Sequence, residues 1–399
     1  MAPRTLTSER QQLAYGPLGI ALLHIERAAR DLGPWQRAHD WLAVTTSKPF
    51  TSGPDSHPFY GAPALAHVVA RAAEHQAGTT YHRALASLDA RIATDVQRRL
   101  DAAHRRIDVG RLPQLAEFDA MRGLTGYGAY LLRRDPSSST ARAVLDYCVR
   151  LTEPVVHHGE FLPGWWTATG PSGRPDDRYR GGHANNGMAH GIGGVLALLA
   201  VAARRGTVVS GHREALRTIL DWLDLWPKST GPDLAWPYWV TRDELRTGRL
   251  TPARPRRPSW CYGTAGLARA QQLAALALGD IDRQIEAETA LVAAHTDPAQ
   301  LKATTDSGLC HGFAGLAHVA ARTADDAHHT TEVRLRATIP ALLTAVCPQE
   351  TDPVETAGAL VKGVGPGFLD GAAGIALALQ SPAAGAPPVS DWDACLLIA

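Results

Sequence analysis

Apolar residues recur along the chain in short blocks, and each block opens with a Gly-x-x-Gly step. Seven such blocks occur, although Ala64 replaces the second glycine of the second block. The first glycines of the blocks are Gly16, Gly61, Gly123, Gly191, Gly263, Gly312 and Gly371. After the glycines the residues are apolar nearly all round, and a helix of that kind is buried on most sides. The pattern therefore predicts seven buried helices.

Segments with one charged face lie between these blocks. They cover residues 88–107, 139–151, 212–226, 281–295 and 333–346. One apolar and one charged face are typical of helices that pack against a core from the outside. Ser138 or Ser139 offers a helix N-cap before the second segment. The alternation predicts an inner and an outer layer, which fits both an all-α toroid of seven inner and outer helices and an open solenoid.

The longest interval between two blocks separates Gly191 from Gly263 and contains a stretch rich in Pro, Trp and Arg, 226–260. Within it, 236–241 followed by 246–251 predicts a short β-hairpin or an ordered loop rather than a helix pair. We therefore expect one domain over residues 1–399. It should be an α/α barrel with at most a small β-containing insertion near 226–260.

The composition limits the cellular compartments and the classes of partner that we expect for this protein. The chain has 399 residues, of which 45% are apolar and 20% charged, as in soluble proteins with a large core. A net charge of +1 gives no field that would attract nucleic acid. Residues 1–9 lack the apolar core of a signal peptide, and the longest apolar run, 192–203, is shorter than the ~20 residues that span a bilayer. Five cysteines, an odd number, argue for a reducing compartment, so we expect a cytoplasmic protein.

Two blocks carry a thiol at the same position. Cys261 and Cys310 each lie two residues before the first glycine of their block, and His311 follows Cys310 directly. Two thiolates and one imidazole form a zinc ligand set that leaves the fourth position open. A single cysteine is often only a small buried hydrophobe. The repeated position favours a site for one zinc ion instead.

Three further residues are candidates for chemistry. His190 directly precedes the glycine of its block, so it lies on the same predicted rim and an acid–base role is favoured over a packing role. Asp119 lies four residues before the third block and fits a helix cap as well as a functional acid. Arg257 lies four residues before Cys261, where it could pair with a carboxylate, clamp an anion or remain solvated.

Taken together, these motifs resemble the lanthionine synthetase C-like family, which includes the lantibiotic cyclases. The resemblance extends essentially from end to end, and the pair Trp-Cys-Tyr-Gly and Cys-His-Gly is highly specific. The matching segments are Phe118-Asp119, Gly123-Leu-Thr-Gly126, Asn185 with Gly187, Ala189-His190-Gly191, Trp260-Cys261-Tyr262-Gly263, Gly308-Leu-Cys310-His311-Gly312, Gly367-Phe-Leu-Asp370-Gly371 and Trp392-Asp-Ala-Cys395.

The resemblance implies a seven-fold α/α toroid with one Zn²⁺ bound by Cys261, Cys310 and His311. It also implies the reaction, a Michael-type addition of a peptide cysteine thiol to dehydroalanine or dehydrobutyrine that forms a lanthionine or methyllanthionine ring. The implied partners are a dehydrated precursor peptide with its leader, the dehydratase that prepares it, and an exporter in a biosynthetic complex at the membrane. No nucleic acid is expected.

Positions tied to catalysis in the family match His190, Asp119, Arg257 and Tyr262. His190 would protonate the α-carbon after thiol addition, while Asp119 would either orient His190 or accept the thiol proton. Arg257 would hold Asp119 or stabilise the enolate oxygen. The aromatic stretches 161–166 and 236–239 are expected to flank the zinc end of the barrel and to contact the peptide.

Two other functions stay open at this point. A zinc-dependent thiol transferase of another class, acting in glutathione addition to dehydrated proteins or in prenyl transfer, would use the same metal ligands. A non-catalytic, zinc-stabilised peptide-binding scaffold would need only the ligands. The length of the chain, without a fused dehydratase or kinase-like region, favours a stand-alone class I cyclase.

Overall fold

The computed structural model describes residues 9–76, 81–227, 234–251, 257–348 and 352–399. The α-helices are α1 (Pro17–Ala29), α2 (Trp35–Thr46), α3 (Ala62–His75), α4 (His82–Asp108), α5 (Leu115–Phe118), α6 (Leu124–Arg134), α7 (Ser139–Arg150), α8 (Ile192–Arg204), α9 (His212–Asp224), α10 (Arg242–Thr247), α11 (Thr264–Leu278), α12 (Ile281–Thr296), α13 (Pro298–Lys302), α14 (Phe313–Asp325), α15 (His329–Val346), α16 (Pro353–Val364) and α17 (Ala372–Ala384). The strands are β1 (Val155–His157), β2 (Glu160–Leu162), β3 (Trp166–Thr167), β4 (His183–Asn185) and β5 (Trp239–Thr241). None of the helices in these ranges is both long and apolar enough to cross a membrane.

Each of the seven glycine-opened blocks begins a helix directly after its first glycine. These inner helices are α1, α3, α6, α8, α11, α14 and α17. Each inner helix contacts the next one along the chain, and α17 contacts α1. The ring is therefore closed, which confirms the toroid and excludes the open solenoid. One hydrophobic cluster joins buried residues from all seven inner helices.

The five predicted amphipathic segments lie in α4, α7, α9, α12 and α15 of the outer layer, which also contains α2, a helix that the pattern did not predict. Helices α2, α4, α7, α9, α12 and α15 each pack against the inner helix that precedes them. The predicted N-cap is confirmed at Ser138, whose Oγ accepts a hydrogen bond from the backbone N–H of Ala141 over 3.2 Å. The seventh pair has the reverse order, because α16 contacts α17 but precedes it in the chain.

The second glycine of each block lies in the first turn of its inner helix and lets the preceding loop lie against that turn. At Gly194 a Cβ atom would stand 2.5 Å from the carbonyl oxygen of Met188, closer than any side chain tolerates. The motif thus serves loop packing as well as helix entry. The second block does without this glycine, but α3 still begins after Gly61, whose φ of +75° favours glycine.

Backbone hydrogen bonds link the loops that precede the inner helices into an arc around one mouth of the barrel. The N–H groups of Ala120, Ala189, Cys261 and Cys310 donate to the carbonyls of Ala189, Cys261, Cys310 and Leu369 over 3.1, 3.3, 3.2 and 2.8 Å. From Ala189 onward, the bonded residues are the second before each helix-opening glycine. The residue directly before that glycine is therefore held at the mouth in each of these blocks.

The strands correct the predicted insertion. Strand β5 pairs with β4, in the register Ala184↔Val240, and β4 pairs with β3; strands β1 and β2 form a separate hairpin. Strand β5 confirms a small β element within 226–260, but it pairs with a strand outside that stretch, so the predicted alternative of a hairpin is wrong. Its second half begins in α10 instead, because Thr241 and Glu244 form a capping box that starts a helix. Residues 228–233 and 252–256 of the predicted insertion lie outside the described residues.

The C-terminal segment 391–398 lies inside the ring. The indole of Trp392 stacks on the imidazole of His318 in α14, with ring centroids 4.6 Å apart, and its carbonyl accepts a hydrogen bond from His67 in α3. The carbonyl of Leu396 accepts a 3.0 Å hydrogen bond from the indole of Trp260, the neighbour of Cys261. The segment thus fills the centre of the ring and, through Leu396, holds the residue next to Cys261 at the mouth.

Truncation of Trp392 to alanine is expected to lower the free energy of unfolding by about 3–5 kcal/mol, the usual cost of removing a buried tryptophan side chain. The Trp392 side chain is fully buried between inner helices. Denaturant unfolding followed by circular dichroism measures the effect. The control is Val354→Ala in α16, where the side chain is 80% exposed and the change should stay within ~0.5 kcal/mol. Equal effects of the two substitutions would show that the segment does not support the ring.

Candidate active site

Cys261, Cys310 and His311 meet at the mouth of the barrel. Their ligand atoms all lie within 4.8 Å of one another. The two cysteines come together because the N–H of Cys261 donates to the carbonyl of Cys310, and His311 follows Cys310 in the chain. Two thiols and one imidazole are donors that Zn²⁺ prefers, so these residues fit the metal that the sequence predicts.

Mutual contacts already favour a charged thiol in this group. Hydrogen bonds from the Cys310 thiol and from His311 lower the pKa of Cys261 well below the usual thiol value, although burial opposes this. The same contact, together with burial, raises the pKa of Cys310, and the Cys261 thiolate raises the pKa of His311. The contact between the two thiols thus favours the thiolate at Cys261 over that at Cys310, and a bound divalent cation would favour loss of both protons.

His190 and Asp119 form an imidazole–carboxylate pair beside this group. Nδ1 of His190 lies 2.7 Å from Oδ2 of Asp119. The other oxygen of Asp119 accepts hydrogen bonds from the backbone N–H groups of Arg122 and Gly123, over 2.6 and 2.9 Å. The Asp119 side chain is 2% exposed and that of His190 is 34% exposed. Asp119 is therefore locked against its own loop, while His190 keeps its second ring nitrogen for a ligand.

Tyr262 stands between the two groups. It follows Cys261 in the chain, and its ring centroid lies 6.1 Å from that of His190. Its hydroxyl oxygen accepts a 3.0 Å hydrogen bond from the side-chain amide of Asn185. Burial raises the pKa of Tyr262 well above its usual value, and the bond from Asn185 offsets only part of this rise. Tyr262 is therefore a neutral phenol whose own proton remains available for donation.

Arg257 pairs with Asp306 and not with Asp119, so of its two predicted roles the holding of Asp119 is wrong, while stabilisation of the enolate oxygen stays a prediction. Nη1 of Arg257 lies 3.6 Å from Oδ2 of Asp306. The backbone carbonyl of Arg257 also accepts a 2.5 Å hydrogen bond from the hydroxyl of Tyr238. Asp119 is already occupied by His190 and two backbone N–H groups, which explains why the guanidinium pairs elsewhere.

Residues 7–397 match the family described as Lanthionine synthetase C-like protein. The chain belongs to this family. It is 26% identical over 207 residues to nisin biosynthesis protein NisC of Lactococcus lactis subsp. lactis, an alignment that covers 51% of this chain and 48% of that protein. The match thus spans about half the length of this curated relative.

The fold of this family member also resembles a solved structure, described as nisin cyclase. The two structures superpose with a TM-score of 0.80 at 20% sequence identity, covering 99% of this chain and 93% of the other. At this identity the likeness shows a shared fold. The closed ring of helices is therefore common to both proteins along nearly their whole length.

The two aromatic stretches of this family member behave differently. Tyr238 and Trp239 lie beside Tyr262, with ring centroids 5.5 and 5.8 Å away, so this stretch flanks the mouth as predicted. Trp165 and Trp166 are 1% and 0% exposed. The prediction that the stretch 161–166 contacts a peptide is therefore wrong for these two indoles, which belong to the core, and stays a prediction for Phe161, which is 77% exposed.

Two acids beside His311 were missed in the sequence. Oδ2 of Asp306 lies 3.5 Å from Nε2 of His311, and Oδ1 of Asp370 lies 3.6 Å from its Nδ1. Asp370 directly precedes the first glycine of its block. The same position supplies His190, Tyr262 and His311, so a comparison of that position across all blocks would have identified Asp370.

Proposed function

We propose that the protein is a zinc-dependent lanthipeptide cyclase that adds peptide cysteine thiols to dehydroalanine or dehydrobutyrine and so forms lanthionine and methyllanthionine rings. The observation that carries the proposal is the meeting of a thiol–imidazole ligand group and a separate imidazole–carboxylate pair at one mouth of the barrel. The names of the two relatives, a nisin biosynthesis protein and a nisin cyclase, support it.

Cys261, Cys310 and His311 would hold the zinc ion, one per chain. A zinc ion held there would lower the pKa of a substrate thiol, so that the thiol loses its proton to water and stays a nucleophilic thiolate at neutral pH, where a free peptide cysteine with a pKa of ~8.5 is mostly protonated. Three protein ligands, rather than four, are the pattern of catalytic sites. The arc of backbone hydrogen bonds holds both cysteines at equivalent positions beside the other residues of the mouth.

His190 would supply the proton that completes the addition. The sulfur forms a bond to the β-carbon of the dehydro residue, the double bond opens toward the carbonyl as an enolate, and the α-carbon then takes a proton. Asp119 holds Nδ1 of His190 at 2.7 Å, so the transfer would come from Nε2. Because Asp119 is buried and has no access to substrate, its geometry favours the orienting role over acceptance of the thiol proton.

Tyr262 and Arg257 would stabilise the negative charge on the enolate oxygen. The phenol of Tyr262 accepts from Asn185 and so can donate its own proton outward. Arg257 brings a fixed positive charge, and its side chain is 35% exposed. The inner helices also point their N-termini, the positive ends of their dipoles, at the mouth.

The dehydrated precursor peptide would enter along the aromatic wall. Tyr238 and Trp239 stand beside Tyr262 and would contact an extended chain there. Such rings offer large contact area with little loss of side-chain entropy. We propose a dehydratase as the partner that prepares this peptide, since the addition needs an alkene that is already present in the peptide.

A thiol count tests the function directly. Zinc-loaded protein is incubated with a dehydrated, leader-bearing peptide, and the remaining cysteines are then alkylated, because cyclisation leaves peptide mass unchanged. We expect alkylation to fall as rings form, and to stay complete after a chelator has removed the metal. Zinc-loaded protein that leaves every peptide thiol free, or consumes thiols only when glutathione is added, would contradict a cyclase.

A further inference from the structure

We propose that Asp306 is a positioning residue of this site, which holds the metal ligand His311 and the guanidinium of Arg257 in place at once. Its role toward Arg257 rests on the proposed function, whereas its role toward His311 concerns metal binding alone. Asp306 lies in the loop before α14, six residues before Gly312.

The two carboxylate oxygens of Asp306 have different contacts. Oδ1 accepts a 3.1 Å hydrogen bond from the backbone N–H of Gly308. Oδ2 lies 3.5 Å from Nε2 of His311 and 3.6 Å from Nη1 of Arg257. One oxygen thus fixes the carboxylate to its own loop, and the other faces both functional side chains.

The fourth block gives independent support for this role. Asn185 also lies six residues before the first glycine of its block. Its Oδ1 accepts a 3.0 Å hydrogen bond from the N–H of Gly187, as Oδ1 of Asp306 does from Gly308. Its second side-chain atom, Nδ2, then holds the hydroxyl of Tyr262. At this repeat position, one polar side-chain atom therefore binds the residue's own loop, and the other holds a residue at the mouth.

A metal uses one ring nitrogen of histidine, and the other is commonly held by a carboxylate that sets the ring orientation and raises its basicity. Asp306 and Asp370 face the two nitrogens of His311. Oδ1 of Asp370, the oxygen nearest the ring, is buried and has no hydrogen-bond partner among the described residues. Asp306 is fixed by its loop and shared with Arg257, so we assign the orienting role to Asp306.

The test is Asp306→Asn, which keeps an oxygen for the N–H of Gly308 but removes the charge that faces His311 and Arg257. Competition with a chromophoric chelator should show zinc affinity falling by about 10–100-fold. With zinc held saturating, ring formation should still be slower than in the parent protein, because Arg257 has lost its partner. Asp297→Asn is the matched control, since Oδ1 of Asp297 makes the same type of bond, to the N–H of Ala299 over 2.8 Å, at the start of α13. It should keep the parent zinc affinity.

Asp306→Ala and Asp370→Asn complete the set. If Asp306→Ala lowers the zinc affinity and Asp306→Asn does not, Asp306 only stabilises its own loop and the proposal fails. It also fails if Asp370→Asn weakens zinc while Asp306→Asn does not. Failure of the proposed function would look different: the parent protein would bind zinc tightly yet close no ring, and the effect of Asp306→Asn on zinc affinity would remain.

Discussion

Cys310→Ala is expected to remove zinc and ring formation together while the helical ring stays folded. The substitution deletes one of three ligands and also the hydrogen bond that favours a thiolate at Cys261. Without the metal, a peptide cysteine at pH 7 is ionised only to about 3% and is not held near the alkene. Elemental analysis should fall from one zinc per chain to none, and thiol alkylation of the peptide should remain complete. Circular dichroism should keep its helical signal.

Cys347→Ala is the control for this experiment. Cys347 is the C-cap residue of α15 in the outer layer and is a half-buried free cysteine, so its loss removes a thiol without touching the mouth. It should keep stoichiometric zinc and the parent rate. Cys148 is less useful as a control, because its side chain is fully buried and its truncation would leave a cavity. Stoichiometric zinc in Cys310→Ala would contradict the proposed ligand set.

The inner ring could be predicted from sequence because its signal is local. A glycine that opens a helix, a second glycine that admits the loop, and an apolar run all lie within about two turns of chain. The shared position of Cys261 and Cys310 could be recognised in the sequence for the same reason. Once the inner helices are known to form a closed ring, equal positions in neighbouring blocks become neighbours in space.

Long-range pairings had no such signal. Strand β4 pairs with β5 across the interval from Asn185 to Trp239. The sequence of a short strand without clear alternation of apolar and polar residues does not indicate which strand it pairs with. Residues 391–398 are buried because the closed ring encloses a central space that they fill. That space is a property of the whole fold, so the sequence of the segment does not indicate it. The pairing of Arg257 with Asp306 likewise follows from the contact between adjacent blocks.

His190→Asn is expected to slow ring formation by ~10²–10⁴-fold, the usual loss when a general acid or base is removed. Zinc content and fold should not change, because His190 pairs with Asp119 and is not among the three clustered ligands. The measurement is single-turnover cyclisation with zinc saturating, read by thiol alkylation. A variant without zinc would make His190 a fourth ligand, and a variant with the parent rate would move the proton donor elsewhere, with Tyr262 the nearest candidate.

Asp119→Asn separates the two roles that the sequence left open for Asp119. If the carboxylate acts only through His190, the two residues work as a unit, and the double variant His190→Asn with Asp119→Asn should be hardly slower than His190→Asn alone. Losses that multiply would instead show that Asp119 acts independently, as an acceptor of the thiol proton would. The geometry favours the first outcome: Oδ1 of Asp119 is committed to two backbone N–H groups and Oδ2 to His190. With 2% of its side chain exposed, the carboxylate cannot meet a peptide thiol without first releasing the imidazole.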